Sequence, residues 1–148
     1  VSASEIPAEE VERLREIFSR VPFVRLLGME FVEAERGSAV FALDVREDLT
    51  RMGGILHGGA VFSLLDTAAA CAVHTILEPG DRTVTVDLTV HFLRPFGSGR
   101  LQARARVLRA GHRIAFLSVE ATDPTGALIA TATTTYATQR AADAPARP

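Results

Sequence analysis

The stretch from residue 53 to residue 77 constrains this chain more than any other. It opens as Gly53-Gly54-Ile55-Leu56-His57-Gly58-Gly59 and then runs on almost entirely apolar. Between Ala60 and Val73 the only charged residue is Asp66. A run this long and rich in alanine exceeds a strand, so it predicts a helix from about residue 58 to residue 77. Glu78-Pro79-Gly80-Asp81 supplies the stop and the turn that follow. A helix apolar all round is expected to be buried on every side. A lone carboxylate inside it is costly unless it is partnered or used. Asp66 is therefore the first candidate for chemistry.

A membrane span is the competing reading of such a run. Asp66 near its middle would cost on the order of 2.5–3.5 kcal/mol even on a lenient insertion scale, and no Lys/Arg cluster flanks it. A buried helix in a globular domain is the better fit, and no membrane partner is expected. The net charge of −2 leaves no basic excess for nucleic acid. The single cysteine, Cys71, excludes an intramolecular disulfide framework. The N-terminal segment carries Glu5, Glu9, Glu10 and Glu12 where a secretory leader would be basic and then apolar, so a cytoplasmic location is expected.

The rest of the chain reads as a helix and six strands. Residues 7–20 predict an amphipathic helix with Pro7 at its first position and Val11, Leu14, Ile17 and Phe18 as its apolar stripe. Pro22 ends it, and residues 23–28 read as a loop with apolar anchors. Strands follow at 29–34 and 39–45, joined at Gly37-Ser38. Beyond the central helix, strict alternation puts Val84, Val86, Leu88, Val90 and Phe92 on one face and Thr83, Thr85, Asp87, Thr89 and His91 on the other. Further strands span 100–107, 113–122 and 127–138. This order predicts an α+β domain, an antiparallel sheet wrapped around one buried helix. The divisions expected are an N-terminal helix (1–22), the sheet-and-helix domain (23–140) and a flexible tail (141–148).

Gly58 and Gly59 fall at the N-terminus of the predicted helix, where unpaired N–H groups and the positive end of the dipole favour an anion or a polarised carbonyl oxygen. Asp66 is eight residues further on, roughly 12 Å along the axis. One chain cannot bring both to one carbonyl. A site shared by two copies fits better, and a two-fold dimer would hold two.

Gly54-Ile55-Leu56-His57-Gly58-Gly59 followed by Leu65-Asp66 resembles the signature of hotdog-fold acyl-CoA thioesterases of the phenylacetate-degradation (PaaI-like) type. The resemblance continues through Val86-Asp87-Leu88, Phe92-Leu93-Arg94-Pro95, Gly111-His112-Arg113 and Asp123-Pro124-Thr125-Gly126, covering residues 23–136. It implies a hotdog fold, a homodimer often paired into a tetramer and an acyl-CoA substrate, and no cofactor is expected. The N–H of Gly58, beside His57, would polarise the thioester carbonyl, with Gly59 next to it. Asp66 would act as nucleophile or as general base for water. Thr85 would hydrogen-bond near the acid, while Arg94, Arg109 and Arg113 are candidates for the CoA phosphates. The chain departs from the family at Arg51, where many members carry Asn six residues before the histidine. A guanidinium cannot accept a hydrogen bond, so Arg51 is expected either to pair with Asp66 or to meet a phosphate.

Plainer roles stand beside these. His57 can brace its loop, Asp87 can serve the sheet, and Cys71 can pack as a small apolar residue. His74, His91 and Cys71 lack metal-ligand spacing. Two other functions compete with hydrolysis: a non-catalytic acyl-CoA-binding module and a hotdog enoyl-CoA hydratase.

Overall fold

The computed structural model describes residues 5–144. Its first element, α1 (Ala8–Ser19), follows Pro7, which occupies the N-cap position rather than the first helical turn. The Pro7 carbonyl accepts from the amides of Glu10 and Val11. Leu14 and Phe18 enter the core, whereas Ile17 on the same stripe stays exposed.

The segment expected to be a loop is a second helix, α2 (Pro22–Leu27). Pro22 does end α1, but it also begins α2, because a missing N–H costs nothing in a first turn. Gly28 closes α2 at φ 69°, a left-handed cap natural to glycine, with its N–H donating to Arg25.

The strands are β1 (Glu30–Glu35), β2 (Ser38–Asp44), β3 (Arg82–Phe92), β4 (Arg100–Ala110), β5 (Ile114–Thr122) and β6 (Leu128–Gln139). They form one antiparallel sheet in the order β1-β2-β4-β5-β6-β3. The central helix, α3 (Gly58–His74), lies between β2 and β3 in sequence, and the crossover sends β3 to the far edge beside β6. The core joins Leu64, Leu65, Ala68 and Ala72 of α3 to Leu43, Leu101, Ala103 and Leu117 of the sheet.

The helix is not covered on every side: Phe62 is exposed, and Ser63, Asp66, Thr67, Ala70 and His74 are only half-buried, a continuous stripe along one face. It also stops at His74, because the Thr75 hydroxyl donates to Ala72 O and accepts from Gly37 N–H (2.7 Å each), pinning the helix end to the β1–β2 turn.

Strand β3 does not keep the even alternation that its sequence predicts. Thr85 pairs with Tyr136 and Asp87 with Thr135, so Val86 is an extra residue without a partner. Such a bulge exchanges the faces on either side of it. Before the bulge Thr83 and Thr85 turn inward, leaving Val84 and Val86 64% and 57% exposed. After it Leu88 and Val90 pack against the core and Asp87, Thr89 and His91 face out. Asp87 stabilises the irregularity: its carboxylate accepts from Thr135 N–H (3.0 Å), and its carbonyl accepts from the Thr134 hydroxyl (2.6 Å).

Past β6, residues 141–143, at the start of the expected tail, form a short 3-10 turn. The Asp81 carboxylate holds it, accepting from Ala141 N–H (2.9 Å) and the Arg140 guanidinium (2.8 Å). The remainder of the expected tail, 145–148, lies outside the described residues.

Candidate active site

The loop leading into α3 is built to present backbone. Arg51 N–H donates to Ile55 O (2.8 Å) around a turn in which Gly53 and Gly54 have φ of 89° and 74°, a conformation that side chains disfavour. Leu56 N–H then bonds to Phe96 O and His57 N–H to Leu49 O (both 2.8 Å), which fixes the entry to the helix.

His57 is the N-cap of α3, and its Nδ1 accepts from Gly59 N–H at 2.8 Å. With Nδ1 accepting, the proton of the neutral ring belongs on Nε2. The imidazole is thus spent on the helix start, and the Gly59 amide, a candidate for substrate binding, is already occupied by it. The Gly58 N–H is different: it finds no acceptor among the described residues. Gly58 opens onto a cavity of about 390 Å³ with Arg51, Phe92 and Arg94 around it. A Cβ at Gly58 would stand 3.4 Å from the Phe92 ring, so glycine keeps the approach to this amide open.

Asp66 sits two turns along α3, on its uncovered stripe. Its Oδ1 accepts from the Thr85 hydroxyl at 2.9 Å and from the Tyr136 hydroxyl at 2.5 Å. The Tyr136 oxygen also lies 2.8 Å from Asp66 O, so it bridges side chain and backbone of one residue. Asp66 Oδ2 has no hydrogen-bond partner among the described residues. Two neutral donors orient the carboxylate through one oxygen and leave the other without a donor. Tyr136 is 1% exposed, and burial, reinforced by the Asp66 carboxylate, pushes its phenol well above the usual range. It stays a neutral donor at any working pH.

Tyr136 is absent from the residues that sequence reasoning singles out. The available signal was slight: it is the chain's only tyrosine, within a run otherwise of Ala and Thr from 130 to 138. Thr85 reaches Asp66 because of the Val86 bulge, which inverts the strand face on which simple alternation puts it.

Arg51 does not pair with Asp66 within the chain. Its guanidinium donates to Met52 O (2.9 Å) and it lines the Gly58 cavity, as does Arg94. Arg113 lies at the β4–β5 turn and lines neither that cavity nor the groove beside Asp66. Gly58 and Asp66 open onto different cavities that share no lining residue. The chain therefore holds an unpartnered amide and a carboxylate with one unpartnered oxygen in separate cavities that it does not itself bring together.

Residues 53–130 match the family model described as Thioesterase superfamily. The medium/long-chain acyl-CoA thioesterase YigI of Escherichia coli is 35% identical over 131 residues, covering 78% of this chain and 84% of that one. Among solved structures, a thioesterase from Haemophilus influenzae superposes with TM-score 0.82 at 25% identity over 88% of this chain and 90% of its own. The E. coli PaaI protein from the phenylacetic acid degradation operon gives 0.78 at 25% identity over 85% and 90%. With its six-stranded antiparallel sheet curled on one long helix and a glycine-flanked amide at that helix's start, the chain belongs to the thioesterase superfamily, as a hotdog-fold protein of the PaaI-like type.

Proposed function

We propose that the protein hydrolyses acyl-CoA thioesters to CoA and a free carboxylic acid, at sites each assembled from two copies of the chain. The observation that carries this reading is the unpartnered Gly58 N–H in one cavity and the unpartnered Asp66 Oδ2 in another. In a two-fold pair, the helix start of one copy meets Asp66 of the other. The Gly58 N–H then donates to the thioester oxygen and stabilises the negative charge developing there, a contribution worth roughly 2.7–4 kcal/mol in comparable sites. Asp66 either draws a proton from a water that attacks the carbonyl carbon or attacks it directly, to be released by water afterwards. By either route the C–S bond breaks, the CoA sulfur leaves with a proton, and the acyl carbon gains the oxygen of water. Arg51 and Arg94, beside Gly58, supply cations for the CoA phosphates.

The edge strand β3 supports the pairing. It spans 11 residues and has a partner only in β6, and Val84 and Val86 are exposed on it. An uncovered edge of this length is a natural site for a second copy, and two dimers can pair further. The acyl-CoA substrate and the reduced Cys71 fit a cytoplasmic setting. The chemistry requires no cofactor.

Release of free thiol from a panel of acyl-CoAs tests the reading, with Asp66→Ala as its control. The variant should keep its oligomeric state by light scattering and lose turnover. Near wild-type turnover in Asp66→Ala would refute the mechanism. Tight binding of CoA esters with no hydrolysis by the wild type would favour the non-catalytic module instead.

A further inference from the structure

The groove onto which Asp66 opens has a volume of about 450 Å³, and its walls are asymmetric in chemistry. Along α3 it is floored by Asp66, Thr67, Ala70 and His74. The opposite wall comes from α1 and α2, through Ile17, Val21 and Phe23. Ile17 and Phe23 remain 44% and 51% exposed there although both are large and apolar. In a shared site, large apolar side chains left open beside this carboxylate are covered by the second copy and by whatever apolar group is held between the copies.

The polar groups in this groove are nearly all satisfied from within. Thr85 and Tyr136 give their hydroxyls to Asp66, Thr67 gives its own to Ser63 O (2.8 Å), and Thr83 gives its own to Ala137 O (3.1 Å). His74 stands at the far end with its ring edge-on to Phe18, centroids 5.9 Å apart. Burial, then the nearby Arg13, holds its imidazole below the usual histidine range, which leaves it uncharged at neutral pH. No Lys or Arg lines the groove.

Accepting the hydrolase reading above, we propose that the N-terminal helical pair measures the acyl group: a linear, uncharged, medium-length acyl chain lies along α3 from Asp66 to His74, under Ile17, Val21 and Phe23. The length follows from the helix. Eight residues separate Asp66 from His74, about 12 Å at the helical rise. An extended hydrocarbon advancing about 1.3 Å per carbon, from a C–C bond of about 1.5 Å, spans that distance in roughly nine carbons. Each methylene removed from water there should raise kcat/KM about fourfold until the groove is full. A short acyl group ending in a carboxylate, such as succinyl, meets no cation in the groove, since Arg13 lies outside its lining and is paired with Glu10, and is rejected.

The test is kcat/KM across straight-chain acyl-CoAs from butyryl to dodecanoyl, with succinyl-CoA added, for the wild type, Ala70→Leu and Phe23→Ala. Ala70 lies one turn past Asp66, so Ala70→Leu blocks the groove about 6 Å in. Its octanoyl-to-butyryl ratio should fall at least about tenfold. Phe23→Ala removes wall without touching the buried core, and the same ratio should fall about threefold or more. The wild type should rise through octanoyl, level off beyond decanoyl and neglect succinyl-CoA. If Ala70→Leu does not fold by circular dichroism, Phe23→Ala decides. Ratios unmoved by the variants, or a wild type that prefers succinyl-CoA, overturn the proposal. A wild type that releases no thiol from any ester refutes the hydrolase reading instead. Calorimetric binding of octanoyl-CoA against butyryl-CoA to the same three proteins then still tests the groove, and equal affinities overturn it.

Discussion

Gly58→Pro isolates the single amide on which the proposed chemistry depends. Gly58 is the first residue of α3, where proline's missing N–H removes no helical hydrogen bond. The preceding residue, His57, already has φ −61° and ψ 136°, the extended conformation that a following proline requires. The ring must displace Phe92 slightly, since even a Cβ would stand 3.4 Å from it, but Phe92 is an exposed side chain able to move. The substitution should therefore leave the fold nearly unchanged while deleting the donor. Loss of one such donor corresponds to about 2.7–4 kcal/mol of transition-state stabilisation, a fall in kcat of roughly a hundred- to a thousandfold. Thiol release from octanoyl-CoA measures it, with thermal unfolding as the control for folding. Mixing unfolded Gly58→Pro and Asp66→Ala chains and refolding them together sharpens the result. If sites are shared, the mixed dimer regains one intact site, with Gly58 from one chain and Asp66 from the other. Activity should then reappear from two inactive proteins. Normal kcat in Gly58→Pro would refute the role of the amide, and no recovery on mixing would refute the shared site.

Tyr136→Phe removes one of two donors to Asp66 Oδ1 and keeps the buried ring. A hydrogen bond to a carboxylate is worth about 1.5–3 kcal/mol, and Thr85 remains on the same oxygen, so kcat should fall about tenfold with KM little moved; unchanged kcat would remove Tyr136 from the mechanism. Adding Thr85→Val should give a loss different from the sum of the two, because both act on one atom. Cys71 is buried, which pushes its thiol up to about 12, so a disulfide reagent should leave it unlabelled until the protein is denatured; rapid labelling of the native protein would contradict the packing of α3. Asp81 is held below the usual carboxylate range, first by the Ala141 amide and then by Arg140. Its stabilisation is full above the ordinary Asp pKa and is lost as pH falls through the lowered folded value. Asp81→Asn should weaken that part of the acid unfolding curve followed by circular dichroism, and an identical curve would show that the Ala141–Asp143 turn adds no stability.

Much of the site was legible because its signals are local. The glycines around His57 and the lone acid of an apolar run can be read from neighbours in sequence, since helix periodicity and turn preference act over a few residues. The six strands and their antiparallel sheet followed from alternation and from Gly- and Pro-marked turns, whereas the order that sends β3 to the far edge did not. Helix α2 was missed because Pro22 signals both an end and a beginning, and six residues are too few for a periodicity to show.

What the sequence by itself determined is where the reactive groups lie along the chain: an amide at a helix start, a carboxylate two turns later, and the distance that keeps them apart. Only the tertiary structure decided what surrounds them. The Val86 bulge is a matter of register between β3 and β6, set by cross-strand bonds to Thr134 and Thr135 some 47 and 48 residues away. That one-residue slip turns Thr85 inward. Tyr136, 70 residues beyond Asp66, reaches the same oxygen through the same pairing. The uncovered stripe of α3 arises likewise, because the curl of the sheet and the seat of α1 and α2 leave Asp66 at the edge of a groove. Contacts between residues far apart in sequence depend on how the whole sheet closes, and no pattern over a few neighbouring residues encodes that.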